Sequence, residues 1–467
     1  MDRVQVAVVG AGPAGLAAAA CAAECGLATI LIDEQPAEGG QIYRGVTQSP
    51  VQTKAVLGAD YWHGAALVEK FRRSGATHVS GATVWNISRK REISVSLGGS
   101  TWPIEADHIV LATGALERPF PIPGWTLPGV MSAGAAQILL KTSALVPDGR
   151  LVIAGSGPLL WLLAAQLLRV GTKIDALLDT TPRANLARAW PYFPAFAASP
   201  YAAKGFSLLA EVRRAVRVIG RVSDLRAEGS ERLTDVAFRQ EGGEEHKIPA
   251  DVLLLHQGVA PNVNLANAIG CRHVWDPVLL AFRPTLDEWG GSSVEKVSIA
   301  GDSAGIEGAD AAAPAGTLAA LQAAFLLGAI DSRVRNQAAI APRRARMQAR
   351  RGRRFLDLLY QPAPQFRLPQ GDTLVCRCEE VTAAELETTL KLGVMGPNQL
   401  KIFLRCGMGP CQGRLCGLTV TEMIARARGI SPEEVGYYRL RPPVKPITLG
   451  ELADVEKTPA EIRAVVR

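Results

Sequence analysis

Five of the eight cysteines in this 467-residue sequence lie between Cys376 and Cys416. Cys376-Arg377-Cys378 is followed, after 32 residues, by Cys411-Gln412-Gly413-Arg414-Leu415-Cys416. Four thiolates supplied by two loops can hold zinc or an iron–sulfur cluster. Zinc sites favour roughly two to four residues between paired cysteines, and spacings of one and four, as here, fit zinc poorly. Gly407, Gly409, Gly413 and Gly417 would bring backbone N–H groups close to cluster sulfurs. Cys406 falls near the end of a helix expected from Pro397, so it reads as a spare that reaches a metal only if that helix unwinds.

The second constellation is a glycine turn. Val4 to Val9 is a continuous apolar run rich in β-branched residues, as in a strand buried on both faces. Gly10-Ala11-Gly12-Pro13-Ala14-Gly15 follows, then an alanine-rich helical stretch to about Cys25. Gly10 permits the tight turn, Gly12 lets a pyrophosphate approach the backbone, and Gly15 lets the helix pack on the strand. Pro13 and Ala14 open the helix, whose free N–H groups and dipole face the phosphates. A second strand, Ala28 to Ile32, ends at Asp33-Glu34, about twenty residues on, where an acid should grasp ribose hydroxyls. The turn alone does not separate NAD from FAD.

A weaker copy occurs at Leu151–Ala154, followed by Gly155-Ser156-Gly157-Pro158-Leu159-Leu160. Leu160 replaces the third glycine and should push the helix away from the strand. Asp179, at the end of the next strand, could hold a ribose but would repel a 2′-phosphate. No nicotinamide, a structural adenine nucleotide and NADH all remain open for this unit. No Cys-x-x-Cys lies near the first turn, so a dithiol relay has no residues to run on. Cys21 and Cys25 read as packing residues, Cys271 as a buried thiol, and His256 as a hydrogen-bonded structural histidine. With six histidines and none in a motif, no general base declares itself.

Composition bounds the setting. Hydrophobic residues make up 48% and charged residues 20% of the chain, enough for a large core and about three domains. The formal net charge of +7 comes from the seven arginines between Arg343 and Arg354, so a dispersed nucleic-acid-binding surface is not expected. That run reads as a solvated helical face or as a docking face for an acidic partner, with RNA or anionic lipid a lesser alternative because no aromatics interleave with the arginines. Crowded rather than paired cysteines indicate a reducing compartment. The apolar N-terminus is explained by the glycine turn rather than by a signal peptide, and Leu151 to Val170 by strand, turn and helix rather than a membrane span. The expected location is the cytoplasm, free or at the face of the inner membrane.

Three further segments carry a resemblance. Val110-Leu111-Ala112-Thr113-Gly114-Ala115 resembles the strand-end motif of two-dinucleotide-domain flavoproteins of the thioredoxin- and glutathione-reductase type. Ser298-Ile299-Ala300-Gly301-Asp302 resembles their closing motif, which implies that Asp302 binds the ribityl chain of FAD. Gly39-Gly40-Gln41 resembles the loop beside the flavin, and Val84 falls where a backbone contact to adenine is usual. The cysteine pattern resembles the [2Fe–2S] domain of bacterioferritin-associated ferredoxin. Its four-residue second spacing, within Gly407-Met408-Gly409-Pro410-Cys411-Gln412-Gly413-Arg414, resembles the FAD/[2Fe–2S] α subunits of heteromeric amine and imino-acid dehydrogenases. The corresponding chains of opine oxidase, D-hydroxyproline dehydrogenase and hydrogen cyanide synthase belong to that group.

The resemblance covers nearly the whole chain, including Asp33-Glu34-Gln35-Pro36, Gln41-Ile42-Tyr43-Arg44 and Arg441-Pro442-Pro443-Val444-Lys445-Pro446. It implies an α/β fold with two Rossmann-like dinucleotide domains and a small C-terminal [2Fe–2S] domain. The expected division is an FAD domain at 1–120 and 262–340, an inserted nucleotide-binding-like domain at 121–261, a basic linker at 341–370, a [2Fe–2S] domain at 371–430 and a tail at 431–467. It implies FAD, and a cluster on Cys376, Cys378, Cys411 and Cys416. It also implies a flavin-containing catalytic partner subunit, with or without a further small subunit. Two rivals stand beside this electron-transfer role: a self-contained NADH-dependent reductase, and a cluster-based sensor.

Overall fold

The computed structural model describes residues 2–51, 53–455 and 463, so most of the expected tail beyond 455 lies outside the described residues. Strand β1 (Asp2–Val9) is followed by helix α1 (Pro13–Glu24), then β2 (Thr29–Asp33), β3 (Thr77–Ser80), β4 (Thr83–Ile87), β5 (Glu92–Leu97) and β6 (Ser100–Leu111). They form one sheet in the order β3-β2-β1-β6-β5-β4, with a seventh strand, Val297–Ile299, added on β6. The β1, β2, β3, β6 and Val297–Ile299 pairings are parallel, whereas β4, β5 and β6 form an antiparallel meander. Val9 is in register with both Ile32 and Leu111, and Leu111 with Ile299. Four strands therefore stop at one level, leaving a crevice outside their carboxyl ends where open α/β sheets bind ligands.

The alanine content of α1 has a packing cause. Helix Ala309–Leu326 lies against it so closely that a Cβ on Gly316 would come 1.9 Å from the Ala14 carbonyl oxygen. Larger side chains on either helix would separate them and shift the turn that α1 begins.

A second, wholly parallel sheet holds five strands in the order Val218–Ile219, Ala176–Asp179, Leu151–Ser156, Val252–Gln257 and Val130–Ser132. A separate antiparallel sheet of Val222–Glu228, Asp235–Gln240 and Glu245–Pro249 accompanies it. The chain enters and leaves this region along an antiparallel ribbon of Ala115–Glu117 and Val259–Pro261. Contrary to expectation, Leu160 is accommodated: it is fully buried in one core with Ile153, Ala133 and Ala136, and its helix stays packed on the strand. Leu151 to Val170 is strand, turn and helix, and among the described residues no helix is long and apolar enough to cross a membrane.

The basic segment is helical. Asp331 caps helix Ser332–Arg350 by accepting from the Val334 N–H. Four of the seven arginines in the run between 343 and 354 form ion pairs within the chain: Arg343 with Glu288, Arg346 and Arg350 with Glu307, and, in the next helix, Arg353 with Asp357. Arg343 also lies 4.4 Å from the Trp289 ring centroid and Arg354 5.7 Å from that of Tyr192. The run is thus an internal clamp over much of its length, which separated charges in the sequence do not reveal.

The C-terminal unit packs helices Ala383–Leu390, Pro397–Leu404 and Gly417–Arg428 around Leu386, Leu400, Val420 and Ile424. Thr382 and Glu385 form a reciprocal capping box at the first of these helices. A buried Arg367–Glu422 ion pair ties this unit to the segment before it, and a hydrogen bond from Trp125 Nε1 to the Leu374 carbonyl (2.9 Å) ties it to the middle one.

Candidate functional site

The first turn sorts its three glycines by cause. A Cβ on Gly10, whose φ is +106°, would lie 2.4 Å from the Ala112 oxygen, and one on Gly15 only 1.7 Å from the Gly10 oxygen. Fold packing requires both. Gly12 is different: its φ of −76° and ψ of −178° suit any residue. A Cβ there would meet only the Gly40 Cα, at 3.8 Å. The chain itself has no need of glycine at 12, so the space it leaves is a cradle for something that approaches from outside, as a pyrophosphate would.

The neighbouring elements converge on that cradle. The Gly39 N–H donates to the Ala11 carbonyl at 2.8 Å, and a Cβ on Gly40 would meet the Gly12 Cα at 2.6 Å, so the loop toward Gln41 crosses the turn directly. Gln41 itself is exposed. Asp33 accepts from the Ala11 N–H at 2.5 Å on one carboxylate oxygen and from the Gln35 N–H at 2.7 Å on the other. Burial raises its pKa and these backbone bonds oppose the rise. The Ala82 N–H donates to the Asp33 carbonyl, which sets Val84, on β4, beside this end of the sheet. Glu34 faces outward and pairs with Lys445 at 2.7 Å.

From the other side, Gly301 packs on Ala14, where an added Cβ would come 2.8 Å from that of Ala14. Asp302 Oδ1 accepts from the Glu307 and Gly308 N–H groups, both at 3.0 Å, and Oδ2 makes no hydrogen bond with the described residues. The arginine helix braces this loop, because Arg346 grips the Glu307 carboxylate at 2.7 and 3.0 Å. Replacing Asp302 with Ala is expected to speed flavin loss about ten-fold or more, since a hydrogen bond to a charged group contributes ~1.5–3 kcal/mol. The flavin-to-protein ratio after gel filtration measures it, and a full complement would count against the assignment.

Sequence reasoning misses two cations here. Arg44 stands out in the sequence only as part of a longer string. Its Nε is buried without a hydrogen-bond partner among the described residues, at the rim beside Asp33 and Glu34, and burial depresses its pKa against the pull of those acids. Lys141 is fully enclosed, donates to the Gln41 and Ile42 carbonyls and Gln137 Oε1 at 3.0–3.3 Å, and is pushed down to about 7 by burial and by Arg44. Neither has a motif around it.

Thr113 and Gly114 link this crevice to the rest. Thr113 Oγ1 donates to the Asn262 carbonyl, and the Asn262 N–H to the Gly114 carbonyl, both at 3.0 Å. Two residues on, Asn264 Nδ2 donates to the carbonyl of Gln412 at 3.1 Å, next to Cys411.

The cysteine loops fall into two sets. Cys376 is pulled down to about 2 by thiol hydrogen bonds from Cys406 and Cys416, with the Glu379 and Cys378 N–H groups adding to them, while Cys378 lies against Cys411. Cys376, Cys406 and Cys416 are buried; Cys378 and Cys411 are partly exposed. Among the described residues no group of three His, Cys, Asp or Glu side chains is placed to hold one ion. Cys406 departs from expectation: helix Pro397–Leu404 ends two residues earlier, with Arg405 left-handed at φ +57°, so Cys406 reaches its neighbours without unwinding. The glycines also have a steric cause, because a Cβ on Gly407 or Gly413 would come 2.6 Å from the Tyr438 ring and one on Gly409 2.3 Å from the Cys378 Cβ. Tyr438 hydroxyl and Cys416 sulfur are 3.7 Å apart.

The second turn is covered. Gly155, Ser156 and Gly157 are all buried, and Ser156 Oγ reaches the Tyr360 carbonyl at 3.5 Å. Asp179 accepts from both the N–H and hydroxyl of Thr181. Asn185 Nδ2 holds the carbonyls of Leu359 and Gln361, and Gln361 Nε2 holds those of Pro277 and Val278. His256 bonds Glu117 at 2.6 Å, and that carboxylate also accepts from the Gly134 N–H. Cys21 is buried with its thiol toward the Thr317 carbonyl, and Cys271 toward Ser292.

This architecture places the chain in the pyridine nucleotide-disulphide oxidoreductase family, to which it belongs and whose model matches residues 4–316; it is an oxidoreductase of mixed α/β flavoprotein fold. Residues 370–455 match the sarcosine oxidase A3 domain. The chain is 46% identical to an opine oxidase subunit of Rhizobium meliloti, over 98% of this chain and 89% of that one. It is 33% identical to hydrogen cyanide synthase subunit HcnB of Pseudomonas aeruginosa, over 94% and 96%. In fold it is similar to L-proline dehydrogenase from P. horikoshii, with a TM-score of 0.69 at 19% identity, covering 97% of this chain and 80% of that one.

Proposed function

We propose that this chain is the electron-transfer subunit of a heteromeric flavin-dependent dehydrogenase or oxidase. The enzyme would oxidise a C–N bond of an amino acid, imino acid or opine held on a flavin-containing partner subunit. In this reading FAD occupies the first crevice. Gly10, Gly12, Pro13, Ala14 and Gly15 face its diphosphate, Asp33 and Glu34 its adenosine ribose, and Val84 its adenine. Gly40, Gln41, Thr113, Gly114, Gly301 and Asp302 line the flavin side. Cys376, Cys378, Cys411 and Cys416 ligate a [2Fe–2S] cluster, and the division of the chain follows the boundaries given above. The names of the relatives, opine oxidase among them, support both the substrate class and the need for a partner.

The observation that carries the reading is the link between the two sites. The residue that bonds Thr113 and Gly114 stands two positions from the one that bonds Gln412, so the segment 262–264 joins the cysteine loop to the strand end at Thr113 and Gly114. When bound, flavin exchanges two electrons and the cluster one at a time. The chain's own part is to hold both groups at fixed separation and to keep water from Cys376 and Cys416, which are buried. Four thiolates supplied by two loops suit a centre in which each of two irons takes two.

The rival NADH-reductase reading needs the second crevice, and Tyr360 and Gln361 lie across it. The isolated chain is therefore expected to keep its flavin oxidised when mixed with NADH in a stopped-flow instrument. Bleaching should require an opine or imino-acid substrate together with the catalytic partner. Rapid bleaching by NADH alone would reverse the choice.

A further inference from the structure

The C-terminal segment does not end in the cysteine unit; it runs back to the first crevice. The Leu440 N–H donates to Asn267 Oδ1 at 3.2 Å, and the Val444 N–H to the Trp85 carbonyl at 2.9 Å, one residue from Val84. Val444 is buried in one core with Ile30, Ala82 and Val84, and its carbonyl accepts from Arg414 of the cysteine loop at 3.0 Å. Beyond it, Glu451 is held by Ser96 and its backbone by Thr101. Between these two anchors stands Lys445, whose Nζ is 2.7 Å from Glu34. Across the rim lies Arg44, whose buried Nε has no hydrogen-bond partner among the described residues. Two cations thus stand at the end of β2 beside a turn whose glycine at position 12 leaves open space. Arg44 is half-buried, and its buried Nε is costly to leave unpaired unless an acceptor from outside completes it.

Resting on the reading that this chain holds FAD, we infer that Lys445 and Arg44 form a cationic rim for the adenosine-diphosphate half of that cofactor, and that the C-terminal segment is a strap across it. FAD retention in the first unit then depends on a residue contributed from beyond the cysteine unit. Asp33 and Glu34 keep the two cations at the rim before the diphosphate adds its negative charge between them.

The test uses the full-length flavin-bearing protein and follows the rise in free-FAD fluorescence after dilution. Lys445→Glu and Lys445→Met are expected to speed FAD release about ten-fold, Arg44→Met at least as much, and Lys445→Arg to stay within about two-fold of the parent. Excess FAD should restore the melting temperature of Lys445→Met to the parent value, which a loss of packing alone would not do. If a flavin-bearing Lys445→Glu protein releases FAD at the parent rate, or if its melting deficit persists unchanged in saturating FAD, the strap is wrong and the functional reading stands. A chain that neither carries nor takes up flavin overturns the functional reading and the strap with it.

Discussion

Valine at position 12 is expected to yield a folded protein without flavin. The backbone there is ordinary extended chain, and an added Cβ meets only the Gly40 Cα at 3.8 Å, so the substitution costs the fold little. The branched side chain would instead stand where a diphosphate approaches the start of α1. Overpacking of that kind costs ~3 kcal/mol or more, about a hundred-fold in affinity. Gly15→Val provides the contrast. Its Cβ would fall 1.7 Å from the Gly10 oxygen, so that variant should fail to fold at all. The measurement is the visible flavin spectrum of purified protein beside its far-ultraviolet circular dichroism. A Gly12→Val protein with a full flavin complement would show that the turn serves something other than a dinucleotide.

The second large effect concerns the thiols. Serine at Cys376, Cys378, Cys411 or Cys416 is expected to abolish or strongly shift the paramagnetic signal of the dithionite-reduced centre, and serine at Cys406 to leave it nearly unchanged. Cys411 and Cys416 flank one turn, and Cys376 and Cys378 another, so each loop supplies two sulfurs, Cys376 meeting Cys416 and Cys378 meeting Cys411 from the other loop. Cys406 stands close to Cys376, and its exclusion rests on the loop pairing rather than on distance. Loss of the signal in Cys406→Ser alone would reassign the ligands. Zinc without inorganic sulfide in anaerobically prepared protein would remove the main support of the electron-transfer role.

Legibility in the sequence follows the range of the interaction. The turn at Gly10–Gly15 and the strands around it are local, so apolar runs and glycine spacing reveal their place. Asp33 is an instructive half-success: its position at the end of β2 is readable, but its bonds to Ala11 and Gln35 are not. Leu160 misleads because a damaged glycine pattern says nothing of the space between Ala133, Ala136 and Ile153 that accepts its side chain. The arginine run looks like a surface feature because its acidic partners, Glu288 and Glu307, lie far from it in sequence. Lys445 and the Tyr360 cover are invisible for the same reason. Each acquires meaning from a segment more than a hundred residues away, and neither periodicity nor spacing carries that information.

The late strand Val297–Ile299 bears on how the chain comes into being. It lies beside β6, and His108 and Ser298, which bond at 2.9 Å, are 190 residues apart. During synthesis the last residues of β6, Ile109–Leu111, must therefore wait unpaired on one side, beyond the stretch that β5 covers, while the whole middle sheet emerges and can close on itself, as domains commonly do in turn. Such distant strand pairing bears a large loop-closure entropy and folds slowly. Until then this short stretch of β6 is an unpaired strand edge of the kind that can recruit other chains. The crevice at the start of the chain is consequently among the last parts of the molecule to be born.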